Sequence, residues 1–131
     1  MDYRFFFRKE ERIHEKILIQ KLFTEGESFV MFPFRVLFLI SEEEGNPPLR
    51  ILITIPKKTI RKAVKRNLLK RRIRESYRLN KHKISNYLFA KKISLSLGFI
   101  YVDGQIADYH SIEQSIITIL DKVIIKIERH R

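Results

Sequence analysis

Basic side chains provide the most distinctive chemistry in this sequence. Between Lys57 and Lys83 there are 13 Lys and Arg residues and a single acid, Glu75, which leaves a net charge of +12. This equals the formal net charge of the whole 131-residue chain. Charges of one sign at this density repel one another unless a partner neutralises them. Because Lys and Arg release condensed counterions when they bind phosphates, a polyphosphate backbone is the partner that this segment favours.

The spacing of these residues predicts a helix rather than a disordered basic tail. At about 100° per residue over residues 64–78, the polar side chains share one face. Apolar residues flank that face at helical spacing, which a solvated arm would not require: Val64 and Leu68 on one side, and Leu69, Ile73 and Tyr77 on the other. Guanidinium groups bind phosphate oxygens two at a time, and an amide adds a donor and an acceptor. The members of the predicted face are Arg66, Asn67, Lys70, Arg71, Arg74 and Arg78.

Side chains that could give the protein its own catalytic centre are scattered. Its 15 Asp and Glu residues cluster only at Glu10–Glu11 and at Glu42–Glu44, and three consecutive loop side chains seldom converge on a metal ion. The four His residues lie far apart in the sequence, and there is no Cys. Protein nucleases usually need clustered carboxylates or a positioned base. We therefore predict no catalytic residue and no metal site in the protein.

The chain before the basic helix predicts one helix and two or three strands. The helix covers Glu10–Thr24, with Gly26 as its C-terminal cap. Pro33 cannot donate to a strand ladder, so it divides a short strand from a longer one at Phe34–Ile40. The next strand is Leu49–Ile55, and the loop before it suits an antiparallel hairpin. The predicted buried stripe of the first helix consists of Ile13, Ile17, Leu18 and Leu22.

The chain after the basic helix predicts a connection, a strand and a long helix. Asn80–Lys92 is interpreted as a polar connection, and Ile93–Val102 as a strand. Ser111-x-x-Gln114 has the pattern of a capping box at the start of the last helix. The predicted buried face of that helix consists of Ile112, Ile116, Ile117, Leu120, Val123, Ile124 and Ile127.

Size and composition predict one domain over residues 1–131. An apolar content of 44% is too high for a disordered chain. No apolar run reaches the ~18 residues that a membrane span needs. The run Phe5–Phe7 is too short for a signal-peptide core, and it could form a docking segment or the rim of the core. We expect a cytoplasmic protein without a membrane partner.

The segment Lys57–Glu75 resembles the signature of the bacterial ribonuclease P protein subunit, approximately K-K-x-x-x-A-V-x-R-N-x-x-K-R-x-x-R-E. The matching residues are Lys57, Lys58, Ala63, Val64, Arg66, Asn67, Lys70, Arg71, Arg74 and Glu75. Four residues, rather than the commoner three, separate Lys58 from Ala63, and the glycine often found there is absent. Pro56 stands where the family often has Ser.

A second resemblance to this family lies near the start of the chain. Phe7-x-Lys9-x-x-Arg12-Ile13 resembles the family's F-x-K-x-x-R-L pattern. Ile19-x-x-Leu22-Phe23, followed by Gly26, resembles its F-x-x-V-F pattern and the glycine that follows. Ile19 replaces the usual Phe, so one aromatic ring that could stack on single-stranded RNA is missing.

The resemblance implies a fold and a function. The fold would be α+β, an α/β sandwich in the order αβββαβα, with a mostly antiparallel four-stranded sheet and a left-handed βαβ crossover. The function would be removal of the 5′ leader from precursor tRNA by hydrolysis of one phosphodiester bond. An RNA subunit would be the catalyst and would bind most of the Mg²⁺, so the partners would be this RNA and precursor tRNA.

The resemblance also implies two RNA-contacting regions. The basic helix, at about residues 61–80, and the loop before it would contact the catalytic RNA. The predicted contacts are Lys57, Lys58, Lys62, Arg66, Asn67, Lys70, Arg71, Arg74 and Arg78. A groove between the first helix and the sheet would take the leader, with Phe23, Arg35, Leu37 and Leu39 as candidate walls.

Three alternatives remain open from the residues themselves. One is a general RNA-binding protein, ribosomal or chaperone-like, without a role in cleavage. Another is a DNA-binding protein, but no second half-site element or recognition-helix pattern favours DNA. The last is a protein-only nuclease, which the scattered carboxylates disfavour.

Overall fold

A computed structural model describes residues 9–129 of the chain. The run Phe5–Phe7 lies outside the described residues. The helices are α1 (Lys16–Glu25), α2 (Ala63–Asn80), α3 (His82–Lys91) and α4 (Tyr109–Arg129). The strands are β1 (Glu27–Met31), β2 (Phe34–Ser41), β3 (Leu49–Thr54) and β4 (Ser94–Tyr101).

The strands form one four-stranded sheet in the order β1-β2-β4-β3. β2 is antiparallel to both β1 and β4, while β3 is parallel to β4. The predicted hairpin between β2 and β3 is therefore wrong, because β4 lies between them. β4 suits this central place, since both of its faces are covered there: Leu97 and Phe99 are buried on one face and Gly98 on the other. The α+β class is confirmed, with two of the three strand pairs antiparallel.

One face of the sheet packs against α2, α3 and α4. Phe34, Val36 and Phe38 of β2 contribute to this core, and the ring of Phe34 lies edge-on to that of Phe99 at 5.7 Å. The buried residues of α4 are Ile112, Ile116, Ile119, Leu120, Val123 and Ile127. The prediction thus missed Ile119, and it included Ile117 and Ile124, which are only half-buried.

The start of α4 differs from the predicted capping box. Asp108 precedes the helix, and its carboxylate Oδ1 accepts a hydrogen bond from the Ser111 N–H at 2.8 Å. Ser111 is therefore the third helical residue rather than the cap. An Asp at this position satisfies an otherwise unpaired N–H of the first turn, as a Ser would.

The other face of the sheet is covered by α1. Leu22 of α1 forms a small buried cluster with Leu37 and Ile13. A Cβ atom added at Gly98 would lie 3.2 Å from the Leu22 side chain, so this glycine lets the helix approach β4 closely. As predicted, α1 ends at Gly26, whose N–H donates to the Leu22 carbonyl at 3.0 Å.

Before α1, a short 3₁₀ helix at Lys9–Glu11 is followed by an extended stretch at residues 12–15, instead of the predicted continuous helix. The Ile13 N–H donates to the Ile51 carbonyl at 2.8 Å, and Arg12 forms a parallel bridge with Ile51 at the edge of the sheet. Because this segment pairs with β3, the helix begins at Lys16 and not at the predicted Glu10. Ile17 is 83% exposed, so its predicted place in the buried stripe is wrong.

A third helix occupies the stretch that was interpreted as a polar connection. In α3, Ile84 and Leu88 are fully buried, and they lie one turn apart. Two apolar side chains at this spacing are enough to anchor a polar helix to the core. The helix ends at Lys92, which has a left-handed backbone with φ 58°.

Candidate RNA interface

The orientation of α2 is set by its buried side. Leu69, Ile73 and Tyr77 are fully buried in the core, as their spacing predicted. Val64, predicted to flank the basic face, is 77% exposed, and Leu68 is half-buried. The basic residues therefore lie on the outward side of a helix whose opposite side packs against the core.

The structure places the predicted RNA contacts on α2 and on the loop before it. The exposed ones are Lys57, Lys58, Lys62, Asn67 and Arg71, and the half-buried ones are Arg66, Lys70, Arg74 and Arg78. They form one continuous surface, which we call the basic face. Whether each of them contacts RNA stays a prediction.

Arg66 also stabilises the loop before α2. Its Nη1 donates hydrogen bonds to the carbonyls of Ile60 at 2.9 Å and Arg61 at 2.7 Å. The N–H groups of Thr59 and Ile60 donate in turn to the Pro56 carbonyl. The four residues between Lys58 and Ala63 thus form a compact turn that Arg66 holds against the helix.

One carboxylate lies within the basic face. Glu75 accepts a hydrogen bond from the Arg78 guanidinium at 2.6 Å. This hydrogen bond lowers the pKa of Glu75 and raises the pKa of Arg78, so the pair stays charged. Of the predicted contacts, Arg78 is therefore partly neutralised within the protein.

Two further arginines belong to this region but were not among the predicted contacts. Arg72 donates through Nη1 to the Ala107 carbonyl at 2.6 Å, which links α2 to the segment before α4. Arg12 and Arg74 line the same depression of the surface, and burial together with the Arg12 charge lowers the pKa of the Arg74 guanidinium. Arg12 belongs to the motif Phe7-x-Lys9-x-x-Arg12-Ile13, but nothing in the sequence indicated that it would lie beside α2.

These side chains surround a hollow of about 550 Å³. It lies between α2, the extended segment before α1 and the first residue of α4. We call it the arginine hollow, and its lining residues are Arg12, Leu68, Arg71, Arg72, Arg74, Glu75, Arg78 and Tyr109.

The predicted leader groove is not one surface. Leu37 is only 1% exposed and is covered by α1, so its prediction as a groove wall is wrong. Leu39 lines a separate groove of about 780 Å³ between α1 and the 45–48 loop. Phe23 is 45% exposed and Arg35 is exposed, and neither of them lines that groove.

A more open part of the sheet lies around Arg35. Arg35 is paired with Val30 of β1 and with Ile100 of β4, and it shares with Leu37 the face that α1 covers. Nearby, the Val102 N–H donates to the Pro33 carbonyl at 2.8 Å. Three apolar side chains are exposed here: Val30 by 67%, Phe32 by 64% and Val102 by 43%. We call Val30, Phe32, Arg35, Ile100 and Val102 the hairpin surface.

Sequence comparison agrees with the motif on α2. A family model described as Ribonuclease P matches residues 7–123. The chain belongs to the ribonuclease P protein family. The Ribonuclease P protein component of Porphyromonas gingivalis is 36% identical over 107 residues, which cover 82% of this chain and 78% of that protein. The protein component of Dictyoglomus turgidum is 31% identical over 121 residues, which cover 90% and 92%.

Solved structures of ribonuclease P proteins share the fold. The Staphylococcus aureus RNase P protein superimposes with a TM-score of 0.67 at 22% identity, over 86% of this chain and 94% of that one. The RNase P protein from Thermotoga maritima gives a TM-score of 0.65 at 26% identity, over 86% and 96%. The four-stranded sheet with its basic helix is therefore the ribonuclease P protein fold.

Acidic and His side chains do not converge in the described part of the chain. Within residues 9–129, no group of three or more Asp, Glu or His side chains is arranged to hold a metal ion. The side chains of Glu42–Glu44 are exposed on their loop. None of the helices in this part of the chain is long and apolar enough to cross a membrane.

Proposed function

We propose that this chain is the protein subunit of a ribonuclease P ribonucleoprotein. In this proposal it binds the catalytic RNA and the 5′ leader of precursor tRNA, and it assists the endonucleolytic removal of that leader in the cytoplasm. The observation that carries the proposal is the basic face of α2, in a chain of the ribonuclease P protein family.

The basic face is suited to a folded RNA. Lys57, Lys58 and Arg71 are exposed, while Leu69 and Ile73 hold the other side of the helix in the core. RNA binding by such a surface needs no refolding of the helix. Neutralisation of RNA phosphates by these cations would release counterions and make binding strongly dependent on salt.

The hairpin surface, together with Phe23, is the better candidate for the leader. Bases of a single strand stack on exposed aromatic rings, and Phe23 and Phe32 provide two of these. Arg35 adds a cation for the phosphates. The groove that contains Leu39 is less suited, because its two cations, Lys21 and Arg50, face three carboxylates, and Arg50 is already paired with Glu15.

The chemical step is assigned to the RNA subunit. Hydrolysis of a phosphodiester bond needs a nucleophilic water and stabilisation of charge on the leaving oxygen, which magnesium ions can provide. We assign Mg²⁺ mainly to the RNA and no catalytic residue to the protein, and what supports this is the chain's resemblance to the protein subunit of a ribozyme. The protein would lower the repulsion between RNA phosphates and hold the leader in place.

A cleavage assay at low magnesium tests this function. It combines the full chain, a cognate ribonuclease P RNA and a precursor tRNA labelled at its 5′ end. We expect leader release only when protein and RNA are both present. A protein that binds the RNA without stimulating cleavage would instead be a general RNA-binding protein. Cleavage by the protein alone would contradict the assignment of catalysis to RNA.

A further inference from the structure

The arginine hollow combines cationic with apolar side chains, and a surface that only contacts phosphates would not need the apolar ones. Five Arg residues line it, and Glu75 is the one acidic residue among its lining residues in the described chain. Five Arg against one Glu leave an excess of positive charge at this place, which favours an anion. Besides these charged residues, Leu68 and Tyr109 provide apolar lining.

Tyr109 contributes its ring to the hollow. Its hydroxyl donates a hydrogen bond to Glu113 at 3.1 Å, which fixes the side chain beside α2. Burial and the neighbouring carboxylates raise the pKa of Tyr109 to about 12, so the phenol stays neutral at physiological pH. A neutral aromatic ring beside guanidinium groups can stack on a base while the cations bind its phosphate.

The size of the hollow fits a ligand of this kind. Its volume of about 550 Å³ lies within the range of about 300–1,000 Å³ that is usual for small-molecule sites. Three separate segments form it, and two contacts fix their positions. Arg72 binds the Ala107 carbonyl, and Arg12 is held at the sheet edge by its bridge with Ile51.

We propose that the arginine hollow binds one unpaired RNA nucleotide, whose base stacks against Tyr109 and whose phosphate contacts the surrounding guanidinium groups. This inference rests on the proposed function, because it takes RNA to be the partner of α2. The nucleotide comes either from the catalytic RNA or from precursor tRNA.

Two variants at one position test the proposal. Tyr109→Ala removes the ring, whereas Tyr109→Phe keeps it and removes only the hydroxyl. We expect Tyr109→Ala to weaken RNA binding about tenfold or more, as loss of a stacked base does. The slope of log affinity against log salt should not change, because no charge is removed. Tyr109→Phe should bind within about twofold of the original protein.

The source of the nucleotide is distinguished by two binding measurements. Weaker binding of Tyr109→Ala to the catalytic RNA alone identifies that RNA as the source. Unchanged assembly with weaker binding of precursor tRNA by the assembled particle identifies the precursor. If Tyr109→Ala equals the original protein in both measurements, or if Tyr109→Phe is as weak as Tyr109→Ala, the proposal is overturned.

A measurement on the unaltered protein gives a result that does not depend on whether a variant folds. RNA that contains 4-thiouridine is crosslinked to the full chain, and the attached peptides are identified by mass spectrometry. We expect a crosslink at Tyr109 in addition to crosslinks on α2. Crosslinks on α2 with none at Tyr109 would overturn this inference and leave the proposed function intact. Failure of the unaltered protein to bind the catalytic RNA would overturn both.

Discussion

The ammonium group of Lys81 lies 2.5 Å from a carboxylate oxygen of Glu11, and each side chain is 7% exposed. The two residues are 70 positions apart in the sequence. Their contact joins the turn between α2 and α3 to the extended segment before α1. Since Arg12 follows Glu11 directly, the ion pair also fixes the segment that brings Arg12 to the arginine hollow.

Loss of one member of this pair should be costly. Lys81→Met leaves the Glu11 carboxylate buried without its ammonium partner, and we expect the free energy of unfolding to fall by about 3–5 kcal/mol. The double variant Glu11→Leu/Lys81→Met should recover much of this loss, because two apolar groups replace two buried charges. Urea unfolding of the free protein measures both. Equal loss in the single and double variants would contradict this explanation.

Arg50 should anchor the residues before α1. Its guanidinium donates to the carbonyls of Glu10 and Arg12, and to the Glu15 carboxylate at 2.7 Å. We expect Arg50→Lys to lower the free energy of unfolding by about 1–2 kcal/mol, because a single ammonium cannot reach all these acceptors. Hydrogen exchange at the Ile13 amide should become faster. The conservative control is Arg35→Lys, on the exposed surface of β2, which should change neither quantity.

The Arg50 variant should also change the response to acid. The hydrogen bond from Arg50 lowers the pKa of Glu15 below its ordinary value of 4.5. The Arg50–Glu15 pair therefore stabilises the fold fully at pH values above the ordinary pKa of Glu15. This stabilisation is lost as the pH falls through the lowered pKa that Glu15 has in the folded protein. The stability difference between the original protein and Arg50→Lys should shrink over this pH interval. A difference that stays constant down to pH 2 would show that Glu15 contributes nothing.

The start of α4 offers a direct test of which residue caps it. Asp108→Ala removes the acceptor for the Ser111 N–H and should lower the melting temperature. Ser111→Ala, which alters the cap predicted from the sequence, should have a clearly smaller effect. The backbone hydrogen bond from Ser111 lowers the pKa of Asp108, so the deficit of Asp108→Ala should be largest above pH 4 and smaller in strong acid. The reverse ranking of the two variants would favour the capping box.

Removal of charge from the basic face should weaken RNA binding without unfolding the protein. Arg71→Ala/Arg74→Ala should reduce assembly with the catalytic RNA, and it should flatten the salt dependence by between one and two units of slope. The matched control, Lys91→Ala/Arg129→Ala, removes two charges at the ends of α3 and α4. An equal effect of both double variants would show that net charge, rather than this face, governs binding.

Removal of the aromatic rings of Phe23 and Phe32 should weaken binding of the leader and leave the other RNA contacts unchanged. Phe23→Ala and Phe32→Ala should each weaken binding of precursor tRNA by about fivefold or more, since stacking on one base is lost. Binding of mature tRNA, which has no leader, should not change. Phe89 is 78% exposed on α3 and provides a control of the same residue type. If Phe89→Ala has the same effect, the leader does not lie on the hairpin surface.

The elements that sequence predicted best are those with strong local patterns. Leu69, Ile73 and Tyr77 sit at helical spacing, so α2 and its buried side followed directly from periodicity. Pro33 divided β1 from β2, because a residue without an N–H interrupts any ladder. The family motif then pointed to the basic face, although the roles of its individual residues stay predictions.

The errors arose where distant contacts override local patterns. Ile13 continues the spacing of α1, but its N–H pairs with β3 and the chain there is extended. Leu37 shares its face of β2 with the exposed Arg35, yet α1 covers Leu37. The local sequence does not indicate which part of a sheet a helix will cover. Arg12 and Tyr109 reach the arginine hollow from opposite ends of the chain. A site formed by residues so far apart in the sequence can be recognised only from the tertiary structure.

The place of β4 between β2 and β3 determines when the protein can become functional during its synthesis. Before residues 94–101 emerge from the ribosome, β3 lacks the strand that joins it to the β1–β2 hairpin, and it can pair only with the short segment at Arg12 and Ile13. The basic helix belongs to the connection between β3 and β4, so both of its ends become fixed only when β4 joins its neighbours. We therefore expect a nascent chain to expose its cationic segment before the basic face has taken its final position. Correct assembly with RNA should follow translation of the last strand, not accompany translation of the helix.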